Sequence, residues 1–185
     1  MSCVSKLYIL FAILTLSSLN IVAQADTKHG VVEEFEVRTK DYVQERERLE
    51  RELPALPKQA TPEAVMEHKE ALMNAVLRYR ENAKQGDIFT SAISEHLRKV
   101  IAAQLDAQDR TKLRKAVFEA ENKAVRKQVN HPYPESQEFM EMPATLLAVL
   151  PRLPKQLRYR FVGQDLLLVD RENLLIIDYM TNAIP

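Results

Sequence analysis

The stretch RYRFVGQDLLLVDRENLLIIDY, residues 158–179, limits what this chain can fold into more than any other part of it. Leu157, Tyr159 and Phe161 alternate with Arg158 and Arg160, the period-two signature of a half-buried strand. Val162-Gly163-Gln164-Asp165 reads as a hairpin turn, with glycine where a two-residue type II′ loop needs positive φ. Leu166–Val169 and Leu174–Ile177 are apolar on both faces and are separated by the polar turn Asp170-Arg171-Glu172-Asn173. Strands apolar on both faces must be covered twice. The chain's own helices supply one cover; the other falls to the short apolar helix Ala144–Leu150 or to a partner. Asp165, Asp170 and Asp178 bracket these strands and read as flanking charges that oppose edge-to-edge aggregation. Self-association through the last strand is the second reading of the run.

The preceding chain is helical in pattern. From Val31 to Leu53, Phe35, Tyr42 and Leu49 recur every seven residues, with Glu and Arg on the opposite face. Pro54 and Pro57 end that helix. Thr61-Pro62-Glu63 starts a second one: a hydroxyl cap, a proline that loses no bond at the first position, and a carboxylate at the positive end of the dipole. It is expected to run to about Lys84, with Gly86 as its left-handed stop. Thr90 caps a third helix carrying Ile93, Leu97, Val100, Ile101 and Leu105, with Ile88 as a hydrophobic staple. A fourth, shorter helix holds Leu113, Val117 and Ala120. Val125–Val129 reads as a short strand. His131–Met142, carrying Tyr133, Phe139, Met140 and Met142, reads as an apolar loop that either covers the core or lines a groove.

Charge and the N-terminus bound the function. Lys6, an apolar core from Leu7 to Leu16 and the small residues Ala23-Gln24-Ala25 have the layout of a secretory signal peptide, cut after Ala25. An uncleaved N-terminal anchor is the alternative. The core is short for a membrane span, and no second long apolar run follows, so no stable span is expected after leader removal. The one cysteine, Cys3, lies in the leader, so the exported domain, residues 26–185, folds without disulfides; this fits a bacterial periplasm or secretion. Leader removal takes away Lys6 and no acidic group, leaving 25 basic against 26 acidic residues, and that balance gives no reason to expect nucleic acid. Residues 98–127 nevertheless carry nine basic and four acidic groups, whereas 31–53 carry five and eight. These opposite charges either meet inside the fold, or the basic one meets lipid headgroups or envelope polysaccharide.

Patterns for chemistry are sparse. No glycine-flanked serine and no exported cysteine offers a nucleophile, and Gly30, Gly86 and Gly163 are too scattered for a phosphate cradle. His68, His96 and His131 are the candidate metal ligands, but none has a second histidine three or four residues away. Asp87, in the helix junction AKQGDIFT, is the one carboxylate singled out, for turn capping or for an acidic hydrolase site. No cofactor is expected.

The blocks AKQGDIFT, VNHPYP and RYRFVGQDLLLVD, in this order and spacing, resemble a group of exported bacterial proteins of unassigned activity. The resemblance spans nearly the whole exported chain and implies an address but no mechanism. The C-terminal hairpin alone (Tyr159, Val162, Gly163, Leu166–Asp170, Ile176–Asp178) resembles the C-terminal segment of small periplasmic nickel/cobalt-homeostasis proteins, which would imply metal handling.

The expectation is one α+β domain, about four helices with a three-stranded antiparallel meander at about 157–179. The leading function is a non-catalytic periplasmic binding protein whose partner is an envelope protein or a second copy. Its surface is built from Tyr133, Phe139, Met140, Leu175 and Ile177. Divalent-metal handling and an unrecognised hydrolase are the alternatives.

Overall fold

The computed structural model describes residues 30–105, 111, 126–133 and 144–184. Among them the chain forms helix α1 (30–51), α2 (Pro62–Tyr79), α3 (Ser91–Gln104) and the single turn α4 (Ala144–Leu147). Strands β1 (Leu157–Val162), β2 (Asp165–Asp170) and β3 (Ile176–Met180) follow, as an antiparallel sheet in the order β1-β2-β3. This is an α+β fold with the expected C-terminal meander. The expected signal segment 1–25 and the helix expected around Leu113, Val117 and Ala120 lie outside the described residues. Among the described residues no helix is long and apolar enough to cross a membrane.

Helical spacing sets what α1 buries: Phe35, Thr39, Tyr42, Val43 and Arg46 share its inner face, and Leu49 packs at its border. An arginine on that face departs from the expected division into an apolar and a charged side. Helix α2 begins as its sequence dictates, with the Ala64 N–H donating to Thr61 Oγ at 3.2 Å and Pro62 in the first turn. It stops at Tyr79, not near Lys84. Arg80 turns inward: its carbonyl accepts from Asn130 Nδ2 at 2.5 Å and from the Ala83 N–H at 2.9 Å, so the helical ladder cannot continue through it. Thr90 occupies the cap position of α3 without a side-chain cap bond; Ser94 Oγ instead donates to the Phe89 carbonyl at 3.0 Å.

The β1–β2 hairpin closes between Val162 and Asp165, and Gly163 takes φ of 59° at the first loop position, as a type II′ turn requires. The second hairpin is less regular. Leu174 adopts a left-handed φ of 52°, so β3 begins at Ile176 and not at Leu174. Its register then shifts opposite Leu168 and Val169, leaving Ile177 as the extra residue. A bulge of this kind re-aims side chains. Here it sets two consecutive residues, Ile177 and Asp178, toward the helices.

The helix-side face of the sheet carries Leu157, Tyr159, Phe161, Leu166, Leu168 and Ile177, packed with α1, α2 and α3. Phe35 stacks between Phe89 and Tyr159, with ring centroids 5.5 and 6.5 Å away. Each fully buried leucine here contributes about 2 kcal/mol. Leu146 and Leu150 join this same core, so the Ala144–Leu150 segment does not cover the opposite face as expected. That face (Val162, Leu167, Val169, Ile176) is packed by Tyr133. The bonds Asn130 N–H to Ile176 O, Ile176 N–H to His131 O and Tyr133 N–H to Leu174 O add a short edge partner to β3. The pairing segment is therefore 130–133 and not Val125–Val129. Pro132 tolerates an edge position because it has no N–H to leave unpaired. These bonds also occupy the start of the strand through which self-association was expected.

The three aspartates are not surface gatekeepers: Asp165 is buried, and Asp170 and Asp178 are 0% exposed. Each anchors a different segment to the sheet. Asp170 Oδ2 accepts from Tyr42 Oη at 2.7 Å and Arg46 Nε at 2.9 Å, while Oδ1 accepts from the Glu172 and Asn173 N–H groups of its own turn. Arg46 also pairs with Glu50 and Glu172. Asp178 receives four backbone N–H groups, from Gly86 and Tyr179 on Oδ1 and from Ile88 and Phe89 on Oδ2, all within 2.9 Å. Burial pushes its pKa up against the pull of those donors. Asp165 takes the Asn182 N–H at 2.9 Å and Lys127 Nζ at 2.6 Å, tying in the C-terminal tail. Gly86, with φ of 91°, is thus part of the loop that wraps Asp178 and not the stop of α2.

Candidate functional site

Of the side chains expected to form an apolar binding surface, the three that the structure describes are buried. Tyr133 is buried on the second face of the sheet, and Leu175 and Ile177 are fully buried in the helix-side core. The register shift in β3 turns Ile177 inward, and the bonds from 130–133 cover the Leu175 region. Phe139 and Met140 lie outside the described residues. Asp87 is exposed, and its Oδ2 accepts the Lys84 N–H at 2.7 Å while its carbonyl accepts from Arg38 at 2.7 Å. These are bonds that shape a turn. His68 sits on α2, His96 on α3 and His131 beside β3. Among the described residues no group of three or more His, Cys, Asp or Glu side chains is arranged to hold a metal ion, so these histidines are not gathered into a site.

A different site emerges between residues 151–155 and β1. It is a groove of about 540 Å³ whose cations are Arg152, Lys155, Arg158, Arg160 and Arg171, and among the described residues no carboxylate lines it. Two prolines and two hydrogen bonds set its shape. Tyr159 Oη donates to the Pro151 carbonyl at 3.0 Å, and the Leu157 N–H donates to the Pro154 carbonyl at 3.0 Å. The segment 151–155 is thereby folded back on the strand it precedes. Alternation along β1 places Arg158 and Arg160 on the side opposite Tyr159, and Arg160 Nη1 reaches the Tyr159 carbonyl at 3.2 Å. Arg171 arrives from the β2–β3 turn, held by its Nε on the Leu157 carbonyl at 3.0 Å and its N–H on the Gln156 carbonyl at 2.8 Å. Burial and then the neighbouring Arg171 push the Arg158 pKa down, as expected where like charges are held together.

A second depression, of about 400 Å³, shares Lys155 and Arg171 with the groove. Its other charged lining residues are Arg46, Glu47, Glu50 and Glu172, so its charges balance. Gln156 Nε2 on Glu47 at 2.5 Å and Arg46 on Glu50 at 2.8 Å already satisfy carboxylates there. The imbalance therefore belongs to the side of Lys155 and Arg171 that faces β1. Clustered guanidinium groups make planar, charge-assisted contacts to phosphate or carboxylate. The remaining lining groups among the described residues are apolar side chains and a phenol already hydrogen-bonded, so the chemistry on offer is the holding of an anion.

The sequence did contain a signal for this site. Within RLPKQLRYR, residues 152–160, four of nine residues are basic and none acidic. Reading Arg158 and Arg160 as the polar half of an alternating strand hid it, and Arg171 joins only through the turn. Comparisons of the chain with protein-family models, curated proteins and solved structures find no match.

Proposed function

We propose that the protein is a non-catalytic binding protein of the bacterial cell envelope that holds an anionic partner in the groove beside β1. The observation that carries this reading is that, among the described residues, five cations and no carboxylate line one groove, in a chain whose total basic and acidic residues are equal at 26 each. In a balanced chain, a one-signed groove is not a by-product of overall charge. The signal-like N-terminus and the resemblance to exported bacterial proteins support the envelope as the place of action.

The test is thermal unfolding of purified protein with pyrophosphate at low ionic strength. A ligand that binds only the folded state raises Tm by mass action. The expected result is a rise that salt suppresses and that the double variant Arg152→Gln/Lys155→Gln loses. No rise, or an equal rise in the variant, removes the groove as the binding site.

A further inference from the structure

We infer that α2 is the docking surface for a second copy of this chain, the two α2 helices pairing antiparallel about a two-fold axis. Helix α2 has 18 residues, and those it buries are Leu72, Ala75 and Val76, all in its second half. Residues 54–71, the linker and the first half of the helix, include no buried side chain. Among the described residues, the hydrogen bonds of this stretch outside the helical ladder are local: the Ala64 and Val65 N–H groups on Thr61. A helical segment this short is marginal in water unless one of its faces packs. Beside the packed half lies a groove of about 530 Å³, with Leu49, Leu53 and Ala75 as its apolar lining and Arg48, Glu52, Arg78 and Tyr79 as the rest. Arg48 is paired with Glu45 and Glu52. Among the described residues, the exposed Arg78 guanidinium and the exposed Glu67 carboxylate make no ion pair. Tyr79 is 52% exposed.

Helical spacing puts the two unpaired charges on one side of α2. Glu67 and Arg78 are about three turns apart, and they share that side with Ala64, Ala71 and Ala75. When two copies of this side meet antiparallel, the uncovered half of each lies over the groove of the other. Glu67 of one copy then comes opposite Arg78 of the second, and the short alanines let the helices approach closely. Charge supports the match: the uncovered half carries Glu63, Glu67 and Glu70 against Lys69, and Arg78 waits in the groove. The contact is isologous, so a single pairing covers both uncovered halves and forms the Glu67–Arg78 pair twice. An unrelated helix would fill the groove and leave this chain's own half-helix bare. A helix of 18 residues is about 27 Å long, so the interface is small and the dimer weak, with Kd on the order of 100 μM.

The experiment is sedimentation velocity of the purified protein from about 5 to about 1,000 μM, in about 0.1 M salt. Wild type is expected to pass from monomer to dimer across this range. Glu67→Arg and Arg78→Glu, both at exposed positions, each set like charges against one another twice and are expected to weaken the dimer at least about tenfold. The double reversal Glu67→Arg/Arg78→Glu restores opposite signs and is expected to return to within about threefold of wild type. Circular dichroism verifies that each variant is folded. A wild type that stays monomeric at the top of the range overturns the inference. So does a dimer that either single reversal leaves intact, or one that the double reversal fails to restore.

Discussion

Two charged regions of this protein sit within a few residues of each other and behave in opposite ways. Around Asp165, Asp170 and Asp178 every carboxylate is buried and met by donors: backbone N–H groups, Tyr42, Arg46 and Lys127. Between residues 151–155 and β1, Arg152, Lys155, Arg158, Arg160 and Arg171 line a groove in which, among the described residues, no carboxylate takes part. The difference separates architecture from function. A buried charge answered by partners within the chain holds segments together, whereas same-signed cations gathered along one groove raise a local positive potential that favours an anion.

The comparison breaks most easily at Asp170. Replacing it with alanine leaves Arg46 without its buried partner and Tyr42 without its acceptor, and is expected to cost about 3–5 kcal/mol in urea unfolding. A loss below 1 kcal/mol would mean that Arg46 finds enough compensation in Glu50 and Glu172. Asp178→Asn comes next. An amide turns an N–H₂ toward backbone donors that need acceptors, so a loss of about 2–3 kcal/mol is expected. Amide exchange should quicken first at Ile88 and Phe89; uniform exchange would show that Asp178 does not hold that loop.

Alkaline pH sharpens the same point. Burial, and then the charge and hydrogen bond of Asp170, push the Tyr42 pKa well above its ordinary value. Above about pH 10 the unfolded chain releases this proton and the folded chain keeps it. Stability therefore falls with rising pH there, by up to about 1.4 kcal/mol per pH unit for this one group. Tyr42→Phe should flatten that limb of the stability curve, and an unchanged slope would assign it to other tyrosines. Gly86→Ala should cost about 1–2 kcal/mol, because φ of 91° strains any L side chain even though the nearest atom to an added Cβ, the Phe89 carbonyl oxygen, is 3.8 Å away. The smallest effect belongs to Arg152→Gln/Lys155→Gln, which should leave the urea midpoint where it was while removing anion binding.

Local chemistry was legible in the sequence. Gly163, Thr61-Pro62 and the alternation through β1 each signal their own structure within a few residues, and the α+β class follows from them. What escaped was long-range. Three of the four N–H groups that meet Asp178 lie some 90 positions earlier in the chain, and nothing near it marks them. The bulge at Ile177 inverted the reading of an apolar surface, because one extra residue changes which side chains face inward. Arg46 likewise passed for a surface charge until the fold brought Asp170 against it. The groove was half visible, in 152–160, but needed the β2–β3 turn to deliver Arg171.

The most direct test of the separation between structural and functional charge is a pyrophosphate titration followed by amide chemical shifts. The account expects perturbations confined to residues 151–160 and the neighbourhood of Arg171, with the Gly86–Phe89 loop and α1 unmoved. Perturbations centred on the aspartate contacts, with the β1 groove silent, would contradict it.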